Sequence, residues 1–421
     1  RDMTSMRTAH PEFLPGRCTA CGACYAVCPD NAIHGLVTSL TDLFETAIRR
    51  VEINGHTAEH LRSAVRTLER KLRPMLTPGA DVNALLRQAV TETIAGQGGG
   101  VELEQEFAWL IEAMDGFVFS VTEPHFSAQE SKAKGTGGLF SIVVNPYACK
   151  GCMGCVQACA DQALKEAVQT ESTVDRLRRD WAFWMELPTT PQEYLVPSER
   201  IGTMETLLLD KRNSDPAVFG GSACAGCGEA TVMRLLMACV ESMMQPRIRK
   251  QVEYLGGLIA RFEQHIRLKL ADKVDLSDAA AIARAVKKAQ GRDLTLSRLS
   301  ASLDEHQAGE PLDAIWLAWA AGVLDGLKQL KWNYEAGVSG RGRARMGVVN
   351  AAECAAFSGS AYPYNPYPFP WVNCVAPGAA ALTIGVFDGH MAKMADGFKA
   401  IRQAELELTG TFILEKHAPF F

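Results

Sequence analysis

The sequence predicts a helix-rich α+β chain, and three observations carry that reading. Two long cysteine-free segments place apolar residues at helical steps, short β-branched or aromatic runs lie between them, and most cysteines fall in tight groups outside the helical segments. In the first segment, about 36-110, Leu40, Leu43, Phe44 and Ile48, then Leu61, Val65, Leu68 and Leu72, recur every three or four residues and so share one helical face. Thr77, Pro78 and Gly79 interrupt it, and Gly96 to Gly100 mark a turn. The second segment, about 243-340, repeats the pattern with Val252, Leu255, Leu258, Ile259 and Phe262, and again with Ile315, Leu317, Ala320, Val323, Leu324 and Leu327. Asp275 to Ser277 offer an N-cap between these helices. The runs Phe117 to Val121 and Leu139 to Val144 suit strands. From Tyr362 to Trp371, alternating prolines and aromatics forbid a helix and predict a packed extended loop.

At 421 residues with 47% hydrophobic and 22% charged positions, the chain has the make-up of globular protein rather than of disorder, enough for two or three packed domains. A formal net charge of −5 gives no electrostatic reason to expect nucleic acid or an anionic membrane surface. The basic runs Arg247, Arg249, Lys250 and Arg341, Arg343, Arg345 read as solvated helix ends or turns. No stretch reaches the roughly 18–20 apolar residues of a spanning helix, and the N-terminus lacks a signal-peptide pattern, so a cytoplasmic chain away from the membrane is expected. It opens on Arg1 rather than Met, as a processed chain or a piece of something longer would.

In a reducing compartment thirteen cysteines are expected to be ligands rather than disulfides. Cys18, Cys21, Cys24, Cys28 and Pro29 form C-x2-C-x2-C-x3-C-P, and Cys149, Cys152, Cys155 and Cys159 repeat the spacing with Ala160 in place of proline. Such spacing lets three thiolates of one loop surround a 4Fe-4S cubane while the fourth, expected to begin a helix, serves a second cluster. The ligand sets should therefore cross over: Cys18, Cys21, Cys24 and Cys159 for one cluster, Cys149, Cys152, Cys155 and Cys28 for the other. Ala20, Gly22, Ala23, Gly151 and Gly154 are small enough for backbone N–H groups to approach the sulfur. Structural zinc would favour paired C-x2-C knuckles instead. Two equivalent clusters make a wire, so chemistry is expected elsewhere.

A third group holds Cys224, Cys227 and Glu229 in a glycine-rich loop, and Cys354 further on. It suits a metal or a closely approaching cofactor, with Cys374 as a candidate fourth ligand and zinc as an alternative. Cys239 sits at helical spacing and reads as a core residue.

In this order the motifs resemble the C-terminal part of the 2-oxoacid:ferredoxin oxidoreductases, the family of pyruvate:ferredoxin oxidoreductase. The resemblance rests on the two four-cysteine motifs, on GGLFSIVVNPYACKGC before the second, on CAGCGE at Cys224 to Glu229, and on the later Cys354. It implies a ferredoxin-like dicluster domain at 1-195 with a helical insertion. A partial α/β thiamine diphosphate-binding-type domain would follow at 196-421, with a second helical insertion. It further implies a third 4Fe-4S cluster on Cys224, Cys227 and Cys354, and Glu229 beside the thiamine. The implied reaction is oxidative decarboxylation of a 2-oxoacid with coenzyme A, electrons leaving through the clusters to ferredoxin or flavodoxin, in a homo-oligomer that needs further domains or subunits. Around Cys354 this chain reads Asn350, Ala351, Ala352, Glu353, Cys354, Ala355, Ala356, without the family's hydroxyls. No Gly-Asp-Gly element that would bind Mg2+ and diphosphate follows, only Asp388 and Gly389. Three readings follow: an electron-transferring segment of such an enzyme, an iron-sulfur subunit of another redox complex with a degenerate thiamine domain, and a zinc-stabilised scaffold.

Overall fold

A computed structural model describes residues 2–96, 98, 100–114, 116–198, 200–215, 224–273, 314–351, 369–374, 378–411 and 413. Two compact units are present, one of Arg1–Met243 with Met346–Pro377, the other of Met244–Arg345 with Gly378–Phe421.

The first unit begins with strand β1 (Ala9–Phe13), the short helix α1 (Ala23–Val27) and strand β2 (Ile33–Thr38). Helices α2 (Leu40–Ile53), α3 (Glu59–Leu72), α4 (Val82–Gly96), α5 (Val101–Ala113) and α6 (Ala128–Lys132) follow. Strand β3 (Leu139–Val144), helix α7 (Gly154–Gln157) and strand β4 (Leu164–Val168) then repeat the opening pattern. Next come α8 (Glu171–Glu186), α9 (Thr203–Leu208), α10 (Lys211–Ser214) and the long α11 (Gly228–Lys273), which runs on through Pro246 into residues of the second unit. The remaining elements are α12 (Ala314–Glu335), the parallel pair β5 (Val348–Ala351) and β6 (Trp371–Cys374), and α13 (Ala379–Leu408).

The opening elements are an internal repeat. A shift of 131 residues carries Cys18 onto Cys149 and Cys28 onto Cys159. Strand pairing obeys the same shift: β1 lies antiparallel to β4 with Phe13 opposite Leu164, and β2 antiparallel to β3 with Ile33 opposite Val144. Each repeat thus completes its sheets with a strand of the other. The left-handed backbone positions recur too, at Ala20 and Gly151 (φ 63° and 70°), Gly22 and Met153 (83° and 59°), and Asn31 and Gln162 (49° and 51°). Outside glycine such residues cost of order 1 kcal/mol, so their recurrence reflects a loop that must turn the same way twice. At Gly151 a side chain is also barred by space, since a Cβ there would sit 2.7 Å from the Ala9 carbonyl oxygen.

Between the repeats, α2 to α5 bury the expected stripe. Leu40, Leu43, Phe44, Ile48, Leu61, Leu68 and Leu72 are buried and Val65 half-buried, in one core with Phe107, Leu110, Phe183 and Trp184. Ser39 caps α2, its Oγ accepting from the Asp42 backbone N–H at 3.0 Å, and Thr170 with Thr173 forms a reciprocal cap on α8. In the second unit Leu255, Leu258, Phe262, Leu317, Ala320, Val323, Leu324 and Leu327 pack together with Ile401 and Ala404 of α13.

Several expectations are corrected. Leu36 and Val37 belong to β2, so the helical segment starts later than residue 36. Phe117 to Val121 is not a strand: it makes a single bridge, Ser120 to Phe140, while Phe117 and Phe119 turn their rings into the helical core. Neither fourth cysteine begins a helix, because α1 and α7 end just before Cys28 and Cys159, and Cys28 is extended. Ile315 is exposed, off the buried face of α12, and Cys239 is half-buried rather than core. Arg247, Arg249 and Lys250 are exposed as expected but lie in the middle of α11 rather than at a helix end, whereas Arg343 is half-buried over the Tyr334 ring. Asp275 to Ser277 and residues 362–368 lie outside the described residues; Phe369 and Trp371 are buried. No helix among the described residues is long and apolar enough to cross a membrane.

Candidate iron-sulfur site

Each repeat supplies the same local frame: a strand, a loop with two left-handed residues, one turn of helix carrying the third cysteine, and a fourth cysteine past the helix end, leading toward the next strand. Because the strands are exchanged, the fourth cysteine of one repeat is delivered to the loop of the other. Cys18, Cys21, Cys24 and Cys159 line one cavity, closed by Phe13, Phe140, Ile142 and Leu164. On the other side, Cys155 stands in the electrostatic reach of Cys28, Cys149 and Cys152, and Cys149 in that of Cys28 and Cys152. The two sets approach each other where Cys24 stands in the electrostatic reach of Cys155.

Backbone donors serve both sets. The Ala32 N–H donates to Cys28 Sγ and the Ala163 N–H to Cys159 Sγ, each at 3.2 Å and each at the equivalent place in its repeat, and the Ala20 N–H reaches Cys18 Sγ at 3.4 Å. Burial pushes the thiols up: Cys18 to about 12 and Cys149 to about 11, with Cys24 and Cys155 also raised. In the free protein these are therefore protonated thiols, and a metal must displace their protons to bind.

This environment fits an iron-sulfur cluster. The donors are soft sulfurs in an apolar cavity with N–H groups aimed at them. Among the described residues no three His, Cys, Asp or Glu groups converge tightly enough to hold a single metal ion.

The third group is only partly placed. Cys224 and Glu229 are exposed and Cys227 half-buried, in a tight turn where the Cys227 N–H meets the Cys224 carbonyl at 3.3 Å. That turn lies against the second motif, since a Cβ on Gly226 would stand 3.9 Å from Cys152 Cβ. Cys354 and the Cys374 side chain lie outside the described residues. Asp388 and Gly389 sit inside α13, whose backbone amides are engaged in the helix, so this pair offers no free amides to a diphosphate.

Spacing did not reveal the charged groups around the cysteines. Arg234 of α11 is fully buried and donates to the carbonyls of Tyr25 and Ala26; Arg7 is buried and donates to those of Pro146 and Cys149. Lys150 and Asp30 form a buried ion pair of 2.7 Å. The one available signal was Lys150 itself, a charge set among the small residues of a ligand loop.

A family model described as a 4Fe-4S binding domain matches residues 11–34, which run from β1 through the first motif into β2. The chain carries a 4Fe-4S binding domain. Over 218 residues, 49% of this chain, the sequence is 24% identical to the mitochondrial pyruvate dehydrogenase (NADP+) of Euglena gracilis. The match spans 11% of that protein's length. The 131-residue shift extends the domain's frame to the second motif, where strand, turn and thiol contacts recur.

Proposed function

We propose that this chain is an electron-transferring segment of a 2-oxoacid:ferredoxin oxidoreductase. Two 4Fe-4S clusters are held by Cys18, Cys21, Cys24 and Cys159, and by Cys28, Cys149, Cys152 and Cys155. A third is held by Cys224, Cys227 and Cys354 with a further ligand. The observation that carries this is Cys159, distant in sequence, lining one cavity with Cys18, Cys21 and Cys24. The 4Fe-4S domain match and the similarity to a pyruvate dehydrogenase support the same reading, with pyruvate as the first 2-oxoacid to try. Thiamine diphosphate, Mg2+, coenzyme A and the 2-oxoacid are assigned to the complete enzyme, whose remaining domains or subunits complete the site near Glu229. Ferredoxin or flavodoxin is the proposed acceptor, and a homo-oligomer the proposed assembly. The division into 1-195 and 196-421 is part of the proposal.

When bound, a 4Fe-4S cluster takes up and releases one electron. The chain's own part is to hold four sulfurs around each cluster, to exclude water with Phe13, Phe140, Ile142 and Leu164, and to aim the Ala20, Ala32 and Ala163 N–H groups at sulfur that gains charge on reduction. That Cys24 stands in the electrostatic reach of Cys155 supports electron transfer between the two sets. The Cys224–Cys227 turn beside Cys152 makes the second-motif set the one facing an incoming electron.

A second reading, an iron-sulfur subunit of another redox complex with a degenerate thiamine domain, is favoured by the helical setting of Asp388 and Gly389. One preparation tests both: anaerobic native purification, then iron, sulfide and thiamine analysis with EPR of the reduced sample. About eight to twelve irons per chain with thiamine in the complex support the first reading. Reducible clusters without thiamine support the second, and a colourless preparation lacking sulfide ends both.

A further inference from the structure

The two repeats agree in backbone and differ in charge. Asp30 and Asp161 are equivalent under the 131-residue shift, as are Lys150 and Thr19. The same contact is made twice with different outcome: Lys150 neutralises Asp30 at 2.7 Å, whereas Thr19 only donates a hydrogen bond to Asp161 at 2.6 Å and leaves its charge standing near Cys18. Arg7 has Gly138 as its equivalent. It is 5% exposed, and its guanidinium donates to the carbonyls of Pro146 (2.6 Å) and Cys149 (2.7 Å), with Nε and one NH2 group unpartnered. Arg234 is 0% exposed, donates to the Tyr25 and Ala26 carbonyls and to Asn31 Oδ1 at 3.4 Å, and acts electrostatically on Cys28. Among the described residues neither arginine is in an ion pair with a carboxylate. Beside Cys28 and Cys149 there are thus two buried cations without a carboxylate hydrogen-bonded to them, Arg7 in the longer-range field of the exposed Asp2, and one neutralised pair. Beside Cys18 stand the exposed Asp161, hydrogen-bonded to Thr19, and the exposed Arg17, while the half-buried Glu205 packs against Gly22 of the same loop, so among the described residues no buried cation faces this set.

From this asymmetry we infer that the cluster on Cys28, Cys149, Cys152 and Cys155 has the higher potential of the two and takes the first electron, because Arg7 and Arg234 stabilise its reduced state. The inference rests on the dicluster reading above. An added electron makes a cluster one charge more negative, so a nearby cation stabilises the reduced form and a nearby anion opposes it. The effect is largest where both lie in low dielectric. The arginines are buried and keep their charge; Asp161 is exposed, so its effect is screened and smaller. Set beside the Cys224–Cys227 turn, this cluster holds one electron in reserve. The cluster on Cys18, Cys21, Cys24 and Cys159 is then reduced only at lower potential, as an exit site to a low-potential acceptor.

The test is an anaerobic redox titration of the full-length protein followed by EPR, with iron counted in every sample. Two one-electron midpoints are expected. Arg234→Met should lower the higher midpoint alone by about tenfold in the reduced-to-oxidised ratio at fixed potential, about 59 mV for one electron. Arg234→Lys should retain most of the wild-type value, and Asp161→Asn should raise the lower midpoint alone by a smaller factor. Full iron content with both midpoints unmoved in Arg234→Met, or with the lower one moved, overturns the inference and leaves the dicluster reading intact. If Arg234→Met fails to hold its clusters, Asp161→Asn decides: a shift confined to the lower midpoint supports the inference, and any other result overturns it. Wild-type protein with too little iron for two clusters defeats the dicluster reading itself, and this inference with it.

Discussion

The cysteine-bearing repeats and the helices inserted between them share a unit and are held by different means. The insertion has four helices of 13 to 15 residues whose inner faces, from Leu40 to Leu110, bury hydrocarbon against hydrocarbon. The repeats have strands of 5 or 6 residues and helices of 4 or 5, and their interior includes Cys28, Cys149 and Cys155 beside Phe140, Ile33 and Leu164. Elements that short are not stable alone, so the repeats are expected to depend on the proposed clusters, while the insertion can order itself by apolar burial.

The comparison breaks most visibly on removal of iron. Anaerobic chelation, or Cys24→Ala, is expected to abolish hydrogen-exchange protection over residues 9–38 and 139–168 while α2 to α5 remain protected; simultaneous loss in both regions would mean that they are one cooperative block. The converse change is Leu68→Ala, which removes a fully buried side chain from the insertion. It should cost about 2–5 kcal/mol by denaturant unfolding of that region, with iron content unchanged.

Lys211 probes the seam between the regions. It is buried, its Nζ donates to the carbonyls of Trp184 and Leu187 and lies 3.9 Å from the Trp184 ring centre, and burial lowers its pKa from 10.5 to about 8. The unfolded chain then binds more protons above pH 8, so stability should rise between about pH 8 and 10.5, by roughly 2–3 kcal/mol in all. Lys211→Met should flatten that rise in a pH series of urea melts. The smallest effect concerns His60, raised above its usual pKa chiefly by its hydrogen bond to Glu106 at 3.0 Å. Its contribution is present in acid and lost as pH climbs through the raised value, and Glu106→Gln should remove this pH dependence.

How much of this was legible follows from the same contrast. The apolar stripes of α2, α3 and α12 were readable because burial repeats every three or four residues, although Ile315 shows that one residue at the edge of a stripe can fall outside. The ligand spacing was readable because chemistry fixes it. Phe117 to Val121 was misread because an aromatic run packed under helices has the composition of a strand. Arg7 and Arg234 were invisible because each approaches the cysteines from a distant part of the chain, where a lone arginine looks like any solvated charge. Their significance lies in Cartesian neighbours, which no spacing rule records.

The exchange of strands between repeats fixes a timetable for synthesis. As the nascent polypeptide leaves the ribosome, β2 waits for β3 and β1 waits for β4, so neither sheet closes until residues 144 and 168 respectively have emerged. The helices in between make many of their contacts among themselves, with Phe183 and Trp184 added later from α8, and have the local topology that folds fast. They are thus expected to form first and bring the tethered ends together, keeping the early thiols waiting in the least time.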